Sequence, residues 1–249
     1  MTENQWQAFC AFREDFKAQC AAWDAEYKEI LYPLERWARE KDTPAYIIEN
    51  PIVYNTALDE LDESADIRVI LVGDNPGKNE QLDINKKYLV GQSGKIGAGF
   101  FEKNGEFGLS FPANFIVLNK SPVHSAKTKH LKMMSKENKK AAEVILESQL
   151  YMAQKTAELH QAMNKDKDVE LWLVGYAEIV HNGVFEAYRN ELKACYETFP
   201  KEWEKVFAFQ HFSMNRFQID FNSHYTAGED KNVSLRILGK QHKEKLFAL

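Results

Sequence analysis

Four short stretches gather the side chains most able to do chemistry. They are Gly73-Asp74-Asn75-Pro76-Gly77, Asn119-Lys120-Ser121-Pro122, Gly175-Tyr176-Ala177 and His211-Phe212-Ser213-Met214-Asn215. Each follows an apolar run and supplies carboxylate, amide, hydroxyl or imidazole groups where the chain leaves a hydrophobic layer. Several familiar chemistries are excluded at once. GxGxxG and GxxxxGK(S/T) are absent, and the spaced glycines of GQSGKIGAG, Gly91 to Gly99, do not follow a strand, so no dinucleotide or P-loop site is expected. The seven histidines include no HExxH or other metal spacing, and GYAEI lacks the serine of a GxSxG elbow. Taken singly, Asn75 is a common turn residue beside Pro-Gly. Asn119 alone reads as a cap, and His211 alone as a structural histidine.

These stretches need a scaffold. From Gln5 to about Glu40 the apolar residues Trp6, Phe9, Phe12, Phe16, Trp23, Tyr27, Ile30, Leu31, Leu34 and Trp37 recur at helical spacing. The pattern predicts two helices, with Pro33 marking a start or a kink. DTPAYIIENP reads as a connection. Ile67 to Val72 is a continuous β-branched run of the kind buried on both faces. NFIVLN (Asn114–Asn119), ELWLVG (Glu170–Gly175) and KVFAFQH (Lys205–His211) predict three more strands. Helices are expected at about Ser93–Lys103, Lys136–Met163, His181–Thr198 and Asn232–Phe247. Alternating strands and helices imply an α/β fold, a three-layer αβα arrangement around a central, mostly parallel four-stranded sheet. In such sheets ligands bind at the carboxyl ends of the strands, where the four stretches lie. One domain is expected over residues 1–249, comprising a helical N-terminal extension (1–50), a core (67–220) and a C-terminal helix (230–249).

The composition is that of a water-soluble globular chain. No apolar run is long enough to span a membrane, and MTENQWQAFC lacks the basic and apolar regions of a secretory leader. Cys10, Cys20 and Cys195 are an odd number without CxxC spacing, so reduced thiols and a cytoplasmic location are expected. Net charge is −5, but Lys120 to Lys140 holds seven lysines against Glu137 alone. That segment reads either as solvated surface or as a basic rim for phosphates.

In combination and order, the four stretches resemble the uracil-DNA glycosylase superfamily. GDNPG, followed by Glu80, is similar to that family's first motif, variously G-Q-D-P-Y, G-I/M-N-P-G or G-E-x-P-G. YLVGQSG (Tyr88–Gly94) is similar to its P/Y-x-V-G-x-x-G loop, FIVLN to a strand ending in Asn, and HFSMN in part to H-P-S-P-x-N. LWLVGYA looks like the strand that ends in a Gly-x-x-Ala-type turn. The similarity spans roughly residues 67 to 220. The family's iron–sulfur branch uses four cysteines, so no cluster and no other cofactor or metal is expected here.

The resemblance implies a monofunctional N-glycosyl hydrolase that flips an altered base out of DNA. It implies a monomer whose partner is DNA containing a damaged or mismatched base. Asn75 falls at the water-positioning place, with Asp74 beside it as an alternative base. His211 falls where a donor meets charge growing on the departing base. Gly73, Pro76, Gly77 and Asn119 match base-binding positions, Asn119 reading the base edge. Tyr88 or Leu89 would stack under the base, Tyr88 being favoured. Gly77 stands where another branch has the tyrosine that crowds C5, which implies room for 5-substituted bases. Lys120, Ser121, Ser213, Asn215 and Arg216 would meet the DNA, and Met214 would wedge into the vacated stack. Phe212 in place of Pro and Asn at the water position leave a second reading: a protein of this fold that only binds a nucleobase, nucleotide or nucleic acid.

Overall fold

A computed structural model describes residues 1–248. Four strands, β1 (Val69–Gly73), β2 (Phe115–Asn119), β3 (Glu170–Val174) and β4 (Val206–Phe209), form one sheet in the order β2-β1-β3-β4. Every pairing is parallel. The strands are as apolar as they are because both faces are covered. One face presents Ile70, Val72, Ile116, Leu118, Leu171, Leu173, Val206 and Ala208 to one core cluster. The other presents Val69, Leu71, Phe115, Val117, Trp172, Val174, Phe207 and Phe209 to a second, aromatic one. The result is the expected three-layer αβα fold.

The first layer holds α1 (Glu3–Glu40), α3 (Lys129–Glu137), α4 (Lys139–Met163) and α5 (Glu186–Cys195). The second holds α2 (Gln92–Lys103), α7 (Arg216–His224) and much of α8 (Lys231–Phe247). A single turn, α6 (Pro200–Trp203), leads into β4. The N-terminal segment is one helix, not two. Phe9, Phe12, Phe16, Cys20, Trp23, Tyr27, Leu31, Glu35 and Ala38 keep an unbroken three-and-four spacing through Pro33. Packing of that stripe against α4 outweighs the one hydrogen bond the proline removes. The helix expected from Lys136 begins at Lys139 instead, because Asn138 separates α3 from α4 by capping Lys140 N and Ala141 N. The segment from Phe212 to Phe217 is a short 3-10 turn leading into α7.

β1 is central, with β2 on one side and β3 on the other, so the chain reverses direction of growth beside it. The crevice outside these strand ends is where a ligand fits an open parallel sheet. Among the described residues no helix is long and apolar enough to cross a membrane, and no cluster of His, Cys, Asp and Glu could hold a metal ion.

Candidate functional site

A cavity of about 330 Å³ opens at these strand ends. Its wall includes Asp74, Asn75, Gly77, Leu89, Asn119, His211, Ser213 and Arg216 from the sequence-derived set. Register explains part of the convergence, since Gly73 and Asn119 are paired neighbours at the ends of β1 and β2.

Asn119 is 2% exposed, and its buried Nδ2 has no hydrogen-bond partner among the described residues. Leaving a buried amide unpaired costs about 1–3 kcal/mol, a debt that a ligand acceptor relieves. Its orientation depends on Gly73, where an added Cβ would lie 2.6 Å from Asn119 Oδ1. Gly73 therefore acts from behind the wall, by leaving room.

His211 has a defined proton. The Ser213 backbone N–H donates to Nδ1 at 3.1 Å, and Ser213 Oγ lies 2.9 Å from the same nitrogen. Nδ1 is therefore the acceptor, and the neutral ring carries hydrogen on Nε2. Burial pulls its pKa down, opposed by the Asp74 charge, which favours that neutral form. Among the described residues the Nε2–H has no acceptor, so it is the ring's unused donor, and His211 lines the cavity.

The first turn is anchored from outside the sheet. Pro76 O accepts from His124 Nδ1 at 2.8 Å and from Ser125 N at 3.2 Å. Asn75 Nδ2 donates to Ser125 Oγ at 3.0 Å and to Pro76 O at 3.2 Å. Asp74 Oδ1 accepts from Lys120 Nζ at 2.6 Å. Behind Gly77 lies Glu80, which the spacing noted without assigning a role; its Oε2 accepts from Gly77 N at 2.9 Å. Burial raises the Glu80 pKa to about 7, against that N–H. Lys78 is turned away over the Tyr46 ring, so Glu80 is what stands behind the space at Gly77.

No family model matches the chain, and no curated protein sequence matches it. The roles of these residues have to stand on their own geometry.

That geometry corrects three assignments. Tyr88 is core, 4% exposed, with its hydroxyl donating to Val53 O; Leu89 reaches the cavity instead, its backbone turned by a φ of 54°. Lys120 is fully buried beneath the cavity, so it cannot meet a phosphate. Ser121 is also fully buried, its Oγ paired with Ser148 Oγ at 2.8 Å. Part of the basic segment is tied to the chain itself, with Lys127, Lys129 and His130 all on Asp42 and Lys132 donating to Asn182 O. Met214 and Asn215 stand at the exposed tip beside the cavity, both with positive φ, while Phe212 and Phe217 anchor that tip in the aromatic core.

Sequence reasoning missed Ser93, Ser125, Thr128, Glu178 and Gln210 on the wall. Glu178 lies one residue past the Gly175-Tyr176-Ala177 strand end, and burial, then Asp74, raises its pKa. Its place was open to inspection, as were those of Gln210, just past β4 beside His211, and Ser93, in YLVGQSG at the start of α2; Ser125 and Thr128 carry no signal beyond polarity ahead of α3.

Proposed function

We propose that this chain is a DNA base-excision glycosylase that hydrolyses the N-glycosidic bond of uracil or a related deaminated or altered base. The observation that carries the reading is the pair of unused hydrogen-bonding groups on one wall: the buried, unpartnered Asn119 amide nitrogen and the Nε2–H of a neutral His211. A planar base with carbonyl oxygens answers both. Asn119 reads its edge, and His211 meets the oxygen on which negative charge grows as the bond breaks; such a donor lowers a barrier by about 3–4 kcal/mol. The cavity is within the size range of small-molecule sites, and its polar wall suits one flipped nucleobase. Leu89 offers an apolar surface for the base, and Gly77 keeps the wall low. Met214, 66% exposed at the tip beside His211, is shaped to fill the gap left in the stack. Arg216 supplies positive charge at the cavity. Similarity of the ordered motifs to the uracil-DNA glycosylase superfamily agrees with this assignment.

A second reading, a binding protein for a free nucleobase or nucleotide, is favoured by one observation: Lys120, Lys127 and Lys129 of the basic segment are paired to carboxylates of the chain itself. The two readings separate in a base-release assay. The protein is incubated with oligonucleotides holding uracil, hypoxanthine, xanthine or a G·T mismatch, then treated with alkali. Strand scission at one of these supports the glycosylase. Binding of free base without scission supports the alternative.

A further inference from the structure

Lys120 is among the largest fully buried side chains of the molecule. Its Nζ donates to Asp74 Oδ1 at 2.6 Å, Val174 O at 2.8 Å and Gly73 O at 3.2 Å. Three ammonium protons meet three acceptors, so no donor is left over for another partner; burial lowers the Lys120 pKa, and the Asp74 charge opposes that shift. The lysine joins the ends of β1, β2 and β3 beneath the cavity. For stability alone this is a poor arrangement, because a buried ion pair is seldom better than apolar residues of the same volume. It makes sense where a carboxylate must be fixed in position.

Gly175 is an independent sign of the same requirement. Its φ is +89°, and a Cβ there would lie 2.7 Å from Asp74 Oδ1 and 2.9 Å from Oδ2. The backbone has been cleared for this carboxylate. Asp74 lines the cavity, and among the described residues nothing donates a hydrogen bond to its Oδ2. Asn75 is committed differently. Its Nδ2 faces Pro76 O, Val123 O and Ser125 O, which can only accept, so the amide nitrogen is bound to the loop after β2.

We propose that Asp74, set in place by Lys120, holds and deprotonates the attacking water, while Asn75 fastens the turn. This rests on the glycosylase reading. The water oxygen bonds to C1′ of the deoxyribose as the C1′–N bond breaks. The bonding pair departs with the base, onto the oxygen that His211 Nε2–H faces. The water proton passes to the Asp74 carboxylate, and the released base anion takes its proton from solvent. Lys120 is a positioning residue, since it touches Asp74 and not the reacting atoms.

The test uses the full chain with D74N, N75A, K120M and the double variant D74N/K120M. Single-turnover base release and the Kd for the same DNA are measured for each, with thermal melting to confirm the fold. D74N and K120M are expected to lose about 100-fold or more in rate, the scale of a general base, with Kd within about threefold of wild type. N75A is expected to lose less. K120M added to D74N is expected to cost little further, because Lys120 acts through Asp74. Should a single variant fail to fold through its stranded charge, the double variant removes both charges and decides by its own rate. Release by folded D74N or D74N/K120M at near wild-type rate overturns the proposal and leaves the glycosylase reading standing. Additive losses overturn the role of Lys120. Wild type that releases no base overturns the glycosylase reading and this role with it.

Discussion

The sharpest consequence of the site concerns a glycine that touches no ligand. In Gly73→Ala the new Cβ meets Asn119 Oδ1 at 2.6 Å, so the amide must retreat by about 0.8 Å to reach ordinary contact at 3.4 Å. Asn119 sits in register with Gly73 and is 2% exposed, which leaves it little space to do so without turning from the cavity. A displacement near 1 Å in a positioning group can cost about 100-fold in rate, or roughly 2.7 kcal/mol of transition-state stabilisation. Gly77→Ala, four residues along the same turn, is the comparison: it adds a Cβ on the cavity wall without displacing Asn119. Its Cβ meets nothing nearer than Glu80 Oε2 at 4.0 Å. Neither glycine has a positive φ, so alanine is unstrained at both. Single-turnover base release, with a melting curve for each variant, reads the outcome. Folded Gly73→Ala is expected to lose about 100-fold and Gly77→Ala no more than about threefold. Equal losses in the two, or a folded Gly73→Ala that keeps its rate, would refute the reasoning.

Other predictions follow from the same geometry. His211→Ala is expected to slow base release by about 10²–10³-fold, with DNA affinity unchanged in a binding titration. Glu80, with its carboxyl raised to about 7, changes charge on the cavity wall near neutral pH; base affinity is therefore expected to vary between about pH 6 and 8, and Glu80→Gln to flatten that variation. The same raised value makes Glu80 stabilising at pH below the ordinary carboxyl range, an effect lost as pH rises through 7, which urea melts of Glu80→Gln should abolish. His124 and His160 are held down to about 4 by burial. The unfolded chain takes up their protons first, so stability should fall as pH drops from about 6.5 toward 4, by roughly 3 kcal/mol for each histidine at the lower end; urea midpoints at pH 7, 5.5 and 4.5 check the sign. Met214→Ala should weaken DNA binding without shifting the melting temperature, since the side chain is 66% exposed.

Much of this architecture is written locally. Runs such as Val69–Val72 and Phe115–Leu118 are apolar at every position because the sheet is covered on both sides, and their polar ends then mark the cavity. The unbroken helix through Pro33 was also legible, in the spacing of Leu31, Glu35 and Ala38, but local propensity argued against it. Lys120 was not legible. A lysine at the head of a lysine-rich segment reads as solvated, and only the partner strands reveal that three acceptors converge on it. Tyr88 and Leu89 show a similar limit: which of two adjacent residues faces a cavity depends on a backbone turn, here the positive φ of Leu89, that their identities do not announce. The lysines on the surface gave their count without their partners, which lie far away in the chain, as Asp42 does from Lys129.

The central claim is tested most directly by following release of the base itself. Purified protein is incubated with single- and double-stranded oligonucleotides carrying uracil, hypoxanthine, xanthine or a G·T mismatch. Free base is measured by chromatography and the abasic site by alkaline scission. The account predicts that at least one of these bases is released by wild type and that His211→Ala releases it far more slowly. Folded wild-type protein that releases none of them would contradict it.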